Sequence, residues 1–140
     1  MKTLLFLLTI LPFLSFSQNI NKHQWKDRLL LVISDSYQNS KFIKQLQEFE
    51  KHKELLKERK LIIYQITPSS YREGLGKNES TKSNSFYKKH NSSKKDFKII
   101  LIGLDGGIKM ESFDFVSANK IFNQIDQMPM RIQELKTKNK

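Results

Sequence analysis

The sequence predicts an α/β domain of order β-α-β then β-β-α, built around a mixed four-stranded sheet, with a long basic insertion between the halves. Three observations predict it. Continuous apolar runs at Leu29-Leu30-Leu31-Val32-Ile33, Leu61-Ile62-Ile63-Tyr64-Gln65-Ile66 and Phe97-Lys98-Ile99-Ile100-Leu101-Ile102 read as buried strands. The first two runs are separated by apolar residues at helical spacing. An Asp105-Gly106 pair follows the third run and precedes an alternating one, which is a hairpin signal.

Residues 1–17 have the pattern of a signal peptide: a positive start at Lys2, an apolar run over 4–16, and Ser15-Phe16-Ser17 as a cleavage site. The run is short of the ~20 residues a membrane span needs, and Pro12 interrupts it. The expected product is an exported chain beginning at Gln18, periplasmic or secreted, with no membrane span after cleavage. The chain has 140 residues, enough for one domain, and no Cys. Without Cys there is no disulfide framework, thiol oxidoreductase, thiol peroxidase or Cys-ligated metal. Its net charge is +11, but 21 of the 25 basic residues are Lys, so part of that excess is compositional bias.

After a polar lead-in holding the only Trp, Trp25, the first strand starts at Arg28. Ser34-Asp35-Ser36 then supplies helix-capping side chains. Phe42, Leu46, Phe49 and Leu56 mark the buried stripe of the helix that follows. The second strand ends at Thr67-Pro68, and strand-helix-strand with short joins makes the pair parallel. Residues 69–96 are poor in aliphatic side chains, and 71–98 carry eight Lys/Arg against Glu73, Glu79 and Asp96. That composition reads as a long flexible insertion, with Phe86-Tyr87 docking a short helical turn. The third strand and its hairpin partner follow, then a helix carrying Val116, Ile121, Phe122 and Ile125. Pro129 is expected to stop that helix, leaving 136–140 as a tail.

This order is the thioredoxin-like arrangement. Trp25-Lys26-Asp27-Arg28, Gly103-Leu104-Asp105-Gly106-Gly107-Ile108-Lys109, and Ile125-Asp126-Gln127-Met128-Pro129-Met130-Arg131 with Glu134 carry a further likeness. Over roughly residues 24–135 the chain resembles a domain-of-unknown-function family of small exported bacterial proteins. That family is similar to the C-terminal domain of the sushi-repeat-containing matrix proteins. The resemblance implies the thioredoxin-like fold and export, and it assigns no activity. Trp25, Gly103, Gly106, Met128, Pro129 and Met130 are its structural motif residues. Where the family usually has Lys, this chain has Leu104.

Thioredoxin-like enzymes place a reactive thiol just after the first strand, where this chain has Ser34-Asp35-Ser36-Tyr37. Helix capping accounts for those residues. Asp35, Asp105, Lys109, Asp126 and Arg131 are the candidate ligand-binding residues, and no catalytic set is identified. Between Asp126 and Arg131 a structural reading competes with a functional one: Arg131 forks onto Asp126 while Met128 and Met130 pack into the core. His23, His52 and His90 match no metal-ligand spacing and read as scattered surface residues. Met128 and Met130 read as core rather than copper ligands, so no metal and no cofactor is expected. The function expected is that of a non-redox binding or structural module. The alternatives are a thioredoxin-like enzyme with a non-cysteine site, and a binder of anionic polymer or an envelope surface through the basic 71–98 loop. No nucleic-acid motif accompanies that loop.

Overall fold

The computed structural model describes residues 20–77 and 79–140. The segment 1–17 read as a signal peptide lies outside the described residues. The strands are β1 (Arg28–Ser34), β2 (Leu61–Ile66), β3 (Ser70–Glu73), β4 (Thr81–Lys82), β5 (Phe97–Ile102) and β6 (Ile108–Ser112). The α-helices are α1 (Ser40–Glu50), α2 (Lys53–Glu58), α3 (Ser85–His90), α4 (Ala118–Asp126) and α5 (Pro129–Lys138). A 3-10 turn at Ile20–His23 precedes β1.

All six strands form one mixed sheet in the order β4-β3-β2-β1-β5-β6. The parallel β1–β2 pair, with Arg28 beside Leu61, and the antiparallel β1–β5 pair, with Leu29 beside Ile102, agree with the sequence reading. The β5–β6 hairpin turns at Gly106, whose φ of 82° is a conformation that costs an L-residue energy. The expected four strands are six, because β3 and β4 extend the sheet beyond β2. Both come from the stretch read as an insertion.

The physical reason lies in β1, which is buried on every residue. A strand buried on both faces needs cover on both. One face packs Leu30, Val32, Ile63, Ile99 and Leu101 against Phe42 and Phe49 of α1, Leu56 of α2, and Ile121, Phe122 and Ile125 of α4. The other carries Leu29, Leu31, Ile33, Tyr64, Ile66 and Ile100, and its cover includes Phe86, Tyr87 and Ile20. Phe86 sits edge-on to Tyr71, with ring centroids 4.7 Å apart. The 69–96 segment thus closes the second half of the core.

Three features of the helices also differ from expectation. The first helix breaks at Lys51-His52 into α1 and α2. Asn39, rather than the Ser34-Asp35-Ser36 run, caps α1, its side-chain oxygen accepting from the Lys41 and Phe42 amides. Pro129 ends α4 as expected, with Met128 before it held extended at ψ 136°, but it is also the first residue of a further helix, α5, where its missing N–H costs nothing. The expected tail therefore continues as helix to Lys138.

Candidate functional site

Because β1 and β2 run parallel and β5 runs against them, one end of the sheet collects the starts of β1 and β2 and the end of β5. Trp25, Arg28, Arg59-Lys60 and the 103–107 turn therefore meet there. The α4–α5 junction closes over the same end. Residues far apart in the chain become neighbours by topology alone.

Arg28 is fully buried there. Its Nη1 donates to the Arg59 carbonyl at 2.9 Å and to Glu134 Oε2 at 3.3 Å, and its Nη2 donates to Glu134 Oε1 at 3.2 Å. Arg131, 4 % exposed, donates to Glu58 Oε1 at 3.0 Å, the Glu58 carbonyl at 3.1 Å, Asp126 Oδ1 at 3.2 Å and Glu134 Oε2 at 3.5 Å. The expected fork onto Asp126 comes instead from Arg59, through Nε at 3.0 Å and Nη2 at 2.8 Å. Arg59 is better placed because its guanidinium lies 4.5 Å over the Phe122 ring, on the same helix as Asp126. Burial works against the Asp126 charge, but the hydrogen bonds from Arg59 and Arg131 outweigh it and hold the carboxyl below its ordinary range. Burial likewise opposes the Arg131 charge, and its bonds to Asp126 and Glu58 more than offset that.

Beside this ion-pair cluster lies a cavity of about 270 Å³. Arg28 lines it from β1; Gly103, Leu104, Asp105 and Lys109 line it from the hairpin; Met128, Pro129 and Met130 line it from the helix junction. Lys109 Nζ donates to Asp105 Oδ2 at 2.8 Å, and the Gly107 amide donates to Asp105 Oδ1 at 2.9 Å. Those bonds, with that from Lys109 the strongest, hold the Asp105 carboxyl below its ordinary range. Gly103 lets the Lys109 side chain lie close against the backbone: a Cβ there would be 2.6 Å from Lys109 Cε and would make that flexible side chain shift. Arg28 Nε is buried and has no hydrogen-bond partner among the described residues. Leu104 and Met130 also border a shallower groove of about 580 Å³ that includes Trp25, Lys60 and Arg131. Trp25 is 63 % exposed and held at φ 67°, its amide donating to the Leu104 carbonyl at 2.7 Å.

Of the five residues expected to bind a ligand, Asp105 and Lys109 share the cavity, while Asp126 and Arg131 belong to the adjoining cluster. Asp35 is elsewhere. It follows the far end of β1, roughly 20 Å away for a seven-residue strand. Its carboxylate accepts from Ser34 Oγ at 3.1 Å and Asn39 Nδ2 at 3.0 Å, which is loop architecture. Met128 packs against the core, but Met130 is 42 % exposed, so only one of the pair is core as expected.

Arg28 and Glu134 were visible only as members of the motif; a lone Arg opening an otherwise apolar strand was the available signal. Arg59 and Glu58 gave none. The surface reading of His23 is overturned. It is buried, with Nδ1 2.9 Å from Asp27 Oδ2 and Nε2 2.7 Å from Tyr64 Oη. Nothing local in sequence announces a partner 41 residues away. Among the described residues no group of three or more His, Cys, Asp or Glu side chains is placed to hold a metal ion. No helix among them is long and apolar enough to cross a membrane.

A family model described as a domain of unknown function (DUF4174) matches residues 19–134, nearly all of the described chain. The chain belongs to the DUF4174 family. The matched region contains all three segments that build the cavity. A search of the curated proteins finds no match. Among solved structures the chain is similar to a reduced 2-Cys peroxiredoxin from Plasmodium vivax. The TM-score is 0.58 at 15 % identity, over 85 % of each chain. At that identity the likeness establishes the thioredoxin-like fold and nothing about chemistry.

Proposed function

We propose that this DUF4174 chain is an exported, non-redox binding module whose ligand site is the cavity between Arg28, the 103–109 hairpin and Met128-Pro129-Met130. The observation that carries the reading is convergence. Three segments remote in sequence, each part of the motif quoted above, line one cavity beside a buried guanidinium that keeps an unused donor. Buried donors are rarely left unpaired, so such a group beside a cavity marks a place for an acceptor. The ion pairs among Arg28, Glu134, Arg131, Asp126, Arg59 and Glu58 serve as the rigid support of the site rather than as its contact surface. Export is supported by the apolar pattern of residues 1–17, and the absence of Cys removes thiol chemistry from the fold's usual reactive position.

A fragment screen read by carbon-13 methyl spectra of Met-labelled protein tests the reading. Hits are expected to move the Met128 and Met130 methyls. Hits that map instead to Ser34–Tyr37, with the Met methyls still, would overturn it.

A further inference from the structure

We infer that the cavity takes a small zwitterion with an apolar body, a free α-amino acid being the simplest member of that class; this rests on the binding-module reading above. Charge balance comes first. The two cations lining the cavity are each already compensated: Arg28 by Glu134, through two bonds at 3.2 and 3.3 Å, and Lys109 by Asp105 at 2.8 Å. A net-neutral site disfavours a plain anion, which would have to break the Lys109–Asp105 pair or lie against the Asp105 carboxylate. A ligand carrying both charges has neither difficulty. Its carboxylate can accept from Lys109, whose ammonium has three donors and spends one on Asp105. Its ammonium can donate to Asp105, an acceptor-only group while ionised.

The second carboxylate oxygen answers the unpartnered Arg28 Nε. That atom is sealed from solvent, so the oxygen must part the side chains in front of it. Met128 and Met130, unbranched and adaptable, are suited to that movement. With Pro129 they supply an apolar wall for the ligand's body. A cavity of about 270 Å³ is below the usual range for drug-sized ligands and suits an amino acid.

The test uses three probes of nearly one shape: L-leucine, isocaproate, which lacks the ammonium, and isoamylamine, which lacks the carboxylate. Each is titrated into full-length mature protein labelled at the Met methyls. Leucine is expected to shift Met128 and Met130 saturably, with a dissociation constant at least about tenfold below that of either single-charge probe. Lys109→Met, near the start of β6, and Asp105→Asn, on the turn before it, both at partly exposed side chains, should each remove that advantage without changing the melting temperature greatly. Asp35→Asn, at the other end of β1, should leave it intact. Isocaproate binding as well as leucine would overturn the zwitterion assignment while leaving the binding module standing. No methyl shift with any probe would also overturn it, with water the partner of Arg28 Nε; the fragment screen then judges the module on its own.

Discussion

Arg28, the first residue of the central strand, grips Glu134 in the last helix with both terminal guanidinium nitrogens across 106 residues of sequence. The contact ties the edge of the core to a helix that otherwise presents a mostly polar face. Arg28 is buried and Glu134 largely so, with side-chain exposures of 1 % and 21 %. Such a pair contributes little compared with an apolar replacement, but losing one partner strands a buried charge.

Glu134→Gln is therefore expected to destabilise the protein by about 3 kcal/mol in urea unfolding. Replacing both partners, as Arg28→Met with Glu134→Leu, should cost clearly less than the two single changes summed. Additivity within error would show that the two residues do not share a buried interaction.

Asp126 should couple more strongly to Arg59 than to Arg131, since Arg59 makes the two-bond fork and Arg131 a single bond. Double-mutant cycles with Asp126→Asn, Arg59→Lys and Arg131→Lys should place the Arg59 coupling above the Arg131 coupling, within a range of about 0.5–3 kcal/mol. The reverse order would restore Arg131 as the principal partner.

Stability should fall in acid in two stages. Burial, aided by Lys89 and Lys98, pushes His90 down from its ordinary 6.5 to about 4. The unfolded chain then binds the extra proton, so this contribution is complete above about pH 6.5 and is lost as pH falls toward 4. The depressed Asp126 carboxyl adds stability that is present above its ordinary 3.8 and is lost below it. His90→Gln should flatten the upper stage of a melting-temperature profile against pH and leave the lower one. An unchanged slope between pH 6.5 and 4 would rule His90 out as its source.

The 69–96 segment should behave as part of the core. Phe86 is 6 % exposed and packs edge-on to Tyr71 and tilted against Tyr64, so Phe86→Ala should cost about 3 kcal/mol. Hydrogen exchange provides a second check, with protected amides expected in β3 and α3. Fast exchange throughout both, with a neutral Phe86→Ala, would return the segment to the status of a loose insertion.

Much of this architecture was legible from residues alone. The runs that became β1, β2 and β5, the parallel pairing of the first two, and the Asp105-Gly106 hairpin all follow from local apolar pattern and turn chemistry. The burial of β1 on both faces was also readable, and it already demanded a second covering layer. What hid that layer was composition: three aromatic residues at 71, 86 and 87 pack against that face, amid Lys, Ser and Asn that stay largely in solvent. Pro129 shows a different limit. It closes α4 as its effect on the preceding residue requires, and it also opens α5, a second role that goes with the packing of Arg131 and Glu134 at the end of β1. The absence of a thiol at the fold's usual reactive position needed no structure. The cavity did need one. Asp105 and Lys109 are four residues apart and pair locally, but their meeting with Arg28 and the Met128-Pro129-Met130 junction depends on strand direction and register. Hydrophobic periodicity and capping act over a few residues, so a single chain declares them. Which charges share a site is set by long-range topology, and only the folded sheet decides it.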